Sequence, residues 1–328
     1  MSRPRERRDG IKVARIESPL VEQILDPALP ICDPHIHIWA NPGDRFMVDE
    51  LRAETRTGHR IVATVFVECQ AGYRLDGPEA FRPVGETEFV VAADPGGLIA
   101  GIVGYADLRD PEIDDVLAAH IDAGAGRFRG IRNNAAWDAS ADLQRAPQGL
   151  LAEKDFRAGF AALERAGLSF ETWLYHHQLP ELADLARACP DVPIIVNHLG
   201  GPIADGPYRG RRTEVLKVWR TGMGDLAACA NVAIKLGGIG MSFFGMDWHE
   251  RPDGATSEEL AAVWGEEVRW CIERFGVERC MFESNFPVDR MSCNYAVLWN
   301  GFKRMTADAS GAERAALFHD TATRIYRL

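Results

Sequence analysis

Short apolar runs rich in β-branched residues recur along the chain and alternate with segments whose apolar residues follow a helical spacing. Such runs predict buried strands, and the helical spacing predicts amphipathic helices between them. Eight runs are present, at residues 31–39, 61–69, 99–107, 128–132, 169–174, 193–197, 232–236 and 279–282. The chain therefore has a regular strand-then-helix order.

This alternation favours parallel strands joined by crossover helices, and a chain of 328 residues suits a closed barrel. A doubly wound open sheet is the alternative, but no Gly-x-Gly-x-x-Gly follows a strand and no Walker-type motif occurs. We predict an α/β fold, a (β/α)8 TIM barrel, in a single domain of residues 30–328. Residues 1–29 are expected to form a partly disordered N-terminal tail.

Two connections are unusually long, at residues 133–149 after the fourth strand and 237–256 after the seventh. Both leave the carboxyl ends of strands, where barrel enzymes build their sites. The second connection carries five apolar or aromatic-ring residues: Met241, Phe243, Phe244, Trp248 and His249. They fit a lid over a pocket and, equally, a loop packed against the barrel rim.

Charge and cysteine content restrict the partners of the protein. The formal net charge is -11, from 37 Lys and Arg against 48 Asp and Glu, which disfavours non-specific nucleic-acid binding. Seven widely spread cysteines without a Cys-x-x-Cys motif predict no disulfide framework and favour a reducing cytoplasm. No stretch is long and apolar enough for a transmembrane helix. We expect a small-molecule partner, neither nucleic acid nor membrane, and the sequence leaves a homo-oligomer open.

Histidines gather at the ends of several predicted strands. His35 and His37 lie in Asp-Pro-His-Ile-His-Ile-Trp at the end of the first run. Strand side chains alternate, so both project from one face, roughly 7 Å apart, as metal ligands or a hydrogen-bonding pair would. His198 ends the sixth run and His177 the fifth, and strand ends meet around one pocket in a barrel. Histidines that merely share a packing face are the competing interpretation.

Other residues support two smaller expectations. His59, His120 and His319 lie in helical or loop contexts, and we expect them to be surface or capping residues. Gly237 and Gly238 follow the seventh strand, where small residues would let the backbone approach a ligand closely.

Five segments form an ordered set of motifs: Asp33-x-His35-x-His37, Gly130-Ile131-Arg132, His177-Gln178-Leu179-Pro180, Asn197-His198-Leu199-Gly200 and Met281-Phe282-Glu283-Ser284-Asn285-Phe286-Pro287. This set resembles the motifs of the amidohydrolase superfamily over roughly residues 30–328. Within it the chain is similar to a lactonase-like branch that includes 2-pyrone-4,6-dicarboxylate lactonase, 4-sulfomuconolactone hydrolase and sugar-lactone hydrolases.

The resemblance implies one divalent metal ion, expected to be zinc, held by His35, His37 and His198 with an open position for water. A metal-free mechanism, in which the same histidines polarise the carbonyl, is the alternative. The fourth strand has no lysine, which disfavours a binuclear site. Arg132 is expected to bind an anionic substrate through a carboxylate, although a structural ion pair is the competing role. His177 and Trp39 are expected to contact substrate.

The eighth strand departs from the family pattern. Asn285 stands where the family places the aspartate that takes a proton from the attacking water, and an amide cannot act as a general base near neutral pH. Glu283 or Asp289 is the expected replacement, with Glu68 and Glu171 as weaker candidates. The predicted catalytic residues are those at the strand ends: His35, His37, His198, Glu283, Asn285 and Asp289.

These residues predict a hydrolase that opens a small carboxylated lactone, from sugar-acid or aromatic-ring catabolism, by attack of water on the ring carbonyl. Two alternatives remain open. One is metal-dependent, non-oxidative decarboxylation of an aromatic acid, which related branches carry out. The other is a catalytically silent ligand-binding homologue, which the presence of Asn285 suggests.

Overall fold

Eight parallel strands form a nearly closed barrel in the computed structural model, which describes residue 16 and residues 20–328. With a short hairpin included, the strands are β1 (Pro30–Ile36), β2 (Trp39–Asn41), β3 (Asp44–Phe46), β4 (Arg60–Val67), β5 (Ile99–Gly104), β6 (Phe128–Asn134), β7 (Ser169–Trp173), β8 (Ile194–Val196), β9 (Val232–Leu236) and β10 (Cys280–Phe282). The predicted (β/α)8 TIM barrel is confirmed. Most of the predicted N-terminal tail, residues 1–15 and 17–19, lies outside the described residues.

The barrel strands are hydrogen-bonded in chain order, from β1 through β4 to β10, as a TIM barrel requires. The two edges approach each other where Ile36 and Phe286 form a parallel bridge. There the His37 amide donates to the carbonyl oxygen of Phe286 at 2.8 Å. The first and last strand ends, with their histidines and carboxylates, therefore lie side by side.

Helices follow the strands and cover the barrel. They are α1 (Val48–Glu54), α2 (Val84–Ala93), α3 (Ile113–Ala123), α4 (Lys154–Ala158), α5 (Phe160–Ala166), α6 (Leu179–Ala188), α7 (Arg212–Ala227), α8 (Ser257–Phe275), α9 (Tyr295–Met305), α10 (Gly311–Ala315) and α11 (Thr321–Tyr326), with a π-helical turn at Ala316–Asp320. None of the helices in the described part of the chain has the length and hydrophobicity needed to cross a bilayer.

The core has two layers, as expected for strands whose two faces are both covered. The larger layer packs helices against the outside of the barrel. The smaller one fills the barrel interior and includes Val65, Val103, Ile195 and Met281. Tyr326 of α11 joins this inner layer, so the last helix covers the end of the barrel opposite the histidines.

The first predicted strand, residues 31–39, is wrong in its last three residues. β1 ends at Ile36, and Trp39 begins a separate antiparallel hairpin of β2 and β3. The two-residue turn Pro42–Gly43, with Gly43 at φ +79°, reverses the chain there. This Pro-Gly pair was the turn signal in the sequence.

The expectation for the isolated histidines is also wrong in two of three cases. His59 and His120 are buried. A ring nitrogen of His59 lies 3.0 Å from the Ala296 carbonyl oxygen, and His120 Nδ1 lies 2.8 Å from the Thr87 hydroxyl. Both rings are hydrogen-bonded core residues, because each finds a polar partner within the outer layer.

Candidate active site

The first strand presents its histidines through an irregularity in the ladder. Between Asp33 and Ile36 the register of β1 against β4 shifts, so the chain carries an extra residue there and its side chains are re-aimed. The buried Asp33 carboxylate fixes this segment by accepting from the Ser284 amide at 2.9 Å and from the Tyr295 hydroxyl at 2.9 Å. The rings of His35 and His37 lie 4.9 Å apart.

His198 occupies a strained turn directly after β8. Its φ of +53° is unusual for a residue with a side chain, and the Glu283 carboxylate accounts for it. One Glu283 oxygen accepts from the His198 backbone amide at 2.9 Å and lies 2.8 Å from His198 Nδ1. The same carboxylate approaches His35, whose Nδ1 lies 2.6 Å from the other oxygen.

His35, His198 and Glu283 are all buried, and one ligand atom of each lies within 4.8 Å of the others. Burial lowers the pKa of His35 well below its usual value, so this imidazole is neutral near pH 7. Burial alone would raise the pKa of Glu283, but His198 and His35 hold it well below its usual value. The cluster therefore combines an ionised carboxylate with at least one neutral imidazole.

This donor set fits a divalent metal ion. Two imidazole nitrogens and a carboxylate oxygen are the ligands that zinc accepts in catalytic sites. His35 Nδ1 and Glu283 Oε2 are buried and close, yet neither makes a well-aligned hydrogen bond within the described structure. An ionised carboxylate buried in this way is costly, and a cation between the ligands would offset the cost.

His37, the third predicted metal ligand, lies beside this group rather than in it. Its Nδ1 is 2.7 Å from the Val67 carbonyl oxygen, and Asn285 is a further side-chain partner. Burial, with a contribution from Arg132, lowers the pKa of His37 to about 3. Trp39 stacks on this imidazole at 6.3 Å and donates its indole N–H to Asp44 at 3.2 Å.

Arg132 ends up at the cluster with its charge already paired. Its Nε donates to Glu68 at 2.9 Å, and a second nitrogen donates to the Glu68 carbonyl oxygen. Nη1 lies 3.3 Å from a ring nitrogen of His35. The ion pair that the sequence offered as a competing role is present, and it aims the remaining guanidinium N–H groups toward the histidines. Glu68 is thereby engaged in orienting Arg132.

Asn285 and Asp289 form a hydrogen-bonded pair beside the cluster. The Asn285 amide donates to one Asp289 oxygen at 2.7 Å, and the Gly240 backbone amide donates to the other at 2.8 Å. Burial raises the pKa of Asp289 to about 8. Asp289 therefore changes charge near neutral pH, in the range that suits a general acid or base.

His177 lies farther out than the other predicted site residues. One of its ring nitrogens is 3.1 Å from the Trp137 carbonyl oxygen and 3.5 Å from Asp138. Its ring stacks on Tyr208, whose hydroxyl donates to Asp138 at 2.7 Å. The side chain is partly exposed, in a polar group on the loop side of the barrel.

The long connection after β9 packs against the barrel rim and also reaches the residues beside the histidines. Phe244 and Trp248 are buried, and Phe244 packs against Trp264 at 5.3 Å, as a loop fixed to the rim would. Phe243 is partly exposed and contacts Trp173 at 5.7 Å, and the Trp173 ring lies 5.9 Å from that of His198. Part of this loop is therefore a wall beside the histidines.

The role expected for the two glycines after the seventh strand is wrong. Gly237 and Gly238 make room for protein side chains rather than for ligand, because an added Cβ at Gly238 would lie 2.4 Å from His198 Nδ1. At Gly237 it would meet the Glu283 side chain at 2.4 Å. The two glycines therefore let His198 and Glu283 pack closely against the backbone that follows β9.

A buried ion pair beneath the histidines was missed in the sequence. Lys235 Nζ lies 2.6 Å from a Glu171 oxygen, and both side chains are fully buried. The same oxygen accepts from the Asn197 amide at 2.9 Å, and the Tyr326 hydroxyl donates to the other oxygen. Because Asn197 precedes His198, this network supports the turn that carries the imidazole. A lysine inside the run 232–236 was the sequence signal.

Comparison with known proteins places these features in context. A family model described as Amidohydrolase matches residues 32–328. An uncharacterized protein, y4mH, of Sinorhizobium fredii is 35% identical over 325 residues, which cover 92% of this chain and 99% of the relative. An L-fucono-1,5-lactonase of Burkholderia multivorans is 26% identical over 231 residues, covering 70% of this chain and 72% of the relative.

The fold also matches solved structures. A crystal structure of an amidohydrolase from Burkholderia multivorans with bound zinc superposes with a TM-score of 0.74 at 23% identity. The match covers 91% of this chain and 99% of that chain. At this identity the likeness concerns the barrel fold.

Proposed function

This chain belongs to the amidohydrolase family, and on that premise we propose that it is a hydrolase that opens a small carboxylated lactone by attack of water on the ring carbonyl. The observation that carries the proposal is the convergence of His35, His198 and Glu283, all buried at the carboxyl ends of the strands, with Arg132 beside His35. The similarity to an L-fucono-1,5-lactonase supports the lactone class.

We propose His35, His198 and Glu283 as the residues that would hold one zinc ion. The zinc in the solved amidohydrolase from Burkholderia multivorans supports that choice of metal. When bound, zinc lowers the pKa of a coordinated water to about 7 and polarises carbonyl oxygens. His37, with its Nδ1 toward the Val67 carbonyl, would stand beside the reacting carbonyl as a hydrogen-bonding group.

Arg132 would bind the carboxylate that lies next to the reacting carbonyl. Glu68 restrains its guanidinium, so little rotamer freedom is lost when substrate binds. The close contact of Nη1 with His35 keeps positive charge near the position where negative charge develops in the tetrahedral intermediate. Arg132 therefore supplies both binding and electrostatic stabilisation.

Asp289 is the better candidate for the base that Asn285 cannot be. Glu283 is committed to the two imidazoles, whereas each Asp289 oxygen keeps a lone pair beyond the bonds from Asn285 and Gly240. The ionised Asp289 carboxylate would take a proton from the attacking water, and the acid would return it to the ring oxygen that leaves as an alcohol. A pKa of about 8 permits both states near neutral pH.

The proposal is tested with a panel of carboxylated lactones and a metal analysis of protein purified without chelators. We expect lactone hydrolysis, about one zinc per chain, and a loss of kcat/KM on the order of 100-fold or more in His198→Ala and Glu283→Gln. His319→Ala removes a histidine outside the site and is the matched control. Unchanged hydrolysis in both His37→Ala and His198→Ala would exclude these roles.

The two alternative functions have their own outcomes. Release of carbon dioxide from a hydroxybenzoate, without lactone hydrolysis, would identify a decarboxylase. Ligand binding with no turnover, and turnover gained in Asn285→Asp, would identify a silent homologue. The buried pairing of Asn285 with Asp289 favours a working base over loss of activity.

A further inference from the structure

Aromatic side chains extend outward from the histidines to Arg145, in the long connection after β6. The Trp173 ring lies 5.9 Å from the His198 ring and 5.7 Å from Phe243. The Arg145 guanidinium sits over the Phe243 ring at 5.4 Å, and Tyr175 packs edge-on against Trp173 at 5.6 Å. These four residues, Arg145, Trp173, Tyr175 and Phe243, are called the outer wall below.

Two donors in the outer wall are buried without a partner. Trp173 Nε1 and the Tyr175 hydroxyl make no hydrogen bond in the described structure. Leaving a buried donor unsatisfied costs roughly 1–3 kcal/mol, and native proteins keep few such groups. Trp173 ends β7 and Tyr175 lies two residues beyond it, with the Trp173 ring against both Tyr175 and His198. Two such donors beside the histidines point to oxygen atoms of a ligand.

Arg145 is a cation without an acidic partner among the residues that the structure describes. Its guanidinium meets the Phe243 face and, at 3.5 Å, the Gln144 carbonyl oxygen. Arg132, by contrast, is paired with Glu68. Arg145 therefore keeps its charge and its planar donor pair available for a carboxylate.

The outer wall is held on a rigid scaffold. The Arg145 backbone amide donates to the Ala136 carbonyl oxygen at 2.9 Å. The Gln178 side chain then joins this loop to the Tyr175 segment, because it accepts from the amides of Trp137 at 2.9 Å and Tyr175 at 3.2 Å. The same side chain donates to the Ala135 carbonyl oxygen at 2.9 Å. Such pre-organisation lowers the entropy cost of binding.

We propose that the outer wall is a second anion subsite, which binds an exocyclic carboxylate of the substrate through Arg145, with the Tyr175 hydroxyl and Trp173 Nε1 donating to its oxygens. The C–H face of the lactone ring packs against Trp173 and Phe243 while its carbonyl lies at the histidines. The inference rests on the proposed function and specifies its substrate class: lactones with an exocyclic carboxylate on the ring carbon that is bonded to the ring oxygen.

The test uses three 1,5-lactones with one ring configuration: L-fucono-1,5-lactone, whose exocyclic group is methyl, and its hydroxymethyl and carboxylate analogues. In the native protein, kcat/KM should be highest for the carboxylate. In Arg145→Gln the carboxylate-to-methyl ratio of kcat/KM should fall roughly 10- to 100-fold, the effect expected for a charge-assisted hydrogen bond. Tyr175→Phe should lower the same ratio by roughly 3- to 10-fold.

Arg209→Gln is the matched control, because it removes one exposed positive charge from the connection after β8. Its carboxylate-to-methyl ratio should equal that of the native protein. A ratio unchanged in Arg145→Gln, or lowered equally in Arg209→Gln, overturns the subsite. The ratio reports selectivity, so a variant that merely folds less well does not imitate the effect.

A binding arm separates the subsite from the hydrolytic function. Isothermal titration with the open-chain dicarboxylate and monocarboxylate sugar acids of the same configuration needs no turnover. If the native protein hydrolyses none of the lactones but binds the dicarboxylate at least 10-fold more tightly, and Arg145→Gln abolishes that preference, the subsite stands and the hydrolase proposal fails. Equal dissociation constants for the two acids in the native protein overturn the subsite.

Discussion

Lys235→Met offers a quantitative test of the network beneath the histidines. Lys235 and Glu171 form an ion pair of 2.6 Å inside the barrel, with both side chains fully buried. Met keeps most of the volume of the lysine stem and removes only its charge and its hydrogen bonds. The variant therefore leaves the Glu171 carboxylate buried without the ammonium group.

The magnitude follows from the environment of the pair. Removing one partner of a buried ion pair costs about 3–5 kcal/mol, because the other charge stays desolvated. Glu171 keeps donors from Asn197 and Tyr326, which places the expected loss toward the lower end. For a chain of this size the unfolding midpoint should fall by roughly 4–7 °C, because the unfolding entropy of about 2 cal/mol/K per residue makes each kcal/mol worth roughly 1.5 °C.

A double-mutant cycle gives the assay. Free energies of unfolding from urea titrations are compared for Lys235→Met, Glu171→Gln and the double variant, which contains no uncompensated charge. The double variant should be more stable than the sum of the single losses predicts, by roughly 2 kcal/mol or more. Arg165→Met, in the exposed Arg165–Asp114 pair, should cost about 1 kcal/mol or less. Additive losses, or a loss in Lys235→Met no larger than in Arg165→Met, would refute the reasoning.

Two further predictions concern the site itself. Gly238→Ala should lower zinc content and kcat/KM at least 10-fold, because the added Cβ meets His198 Nδ1. The control Gly167→Ala, at a similar φ of +64° but in open space, should cost only about 1 kcal/mol of stability. Equal effects of the two substitutions on zinc content and kcat/KM would contradict the steric argument. Asp289 has a folded-state pKa of about 8, above its unfolded value, so its contribution to stability is complete below about pH 4 and is lost as the pH rises through 8. In urea titrations, Asp289→Asn should flatten the fall in the free energy of unfolding between pH 5 and pH 8, and it should abolish a rise of kcat/KM toward pH 8. If the free energy of unfolding of the variant falls as steeply with pH as that of the native protein, other groups cause the pH dependence.

The barrel could be predicted because its signal is repeated. Each strand is buried on both faces, so each appears as an apolar run, and helices separate the runs. The departure at Trp39 arose where one apolar run spans two strands, since hydrophobicity alone does not mark the break after Ile36. The register shift near His35 could not be predicted either, because it depends on the pairing of β1 with β4, which are distant in the sequence.

The sequence predicted which residues converge at the candidate site better than it predicted which of their side chains contact one another. The strand ends brought His35, His198 and Glu283 together, as the spacing of histidines in a barrel implies. Which carboxylate reaches which imidazole depends on side-chain directions at the two meeting edges of the barrel, and no sequence spacing encodes them. For that reason the sequence did not predict that Glu283, rather than His37, groups with His35 and His198.

The arrangement of carboxylates argues that Asn285 marks a redistribution of charge rather than its loss. The eighth strand end keeps two buried acids, Glu283 between the imidazoles and Asp289 behind the amide of Asn285. Burying an ionised carboxylate costs several kcal/mol unless a cation or strong donors offset it. Glu283 stays ionised between the imidazoles, whereas Asp289, with its pKa raised to about 8, exchanges a proton near neutral pH. The two acids therefore have the two different states that the proposed metal binding and proton transfer would use.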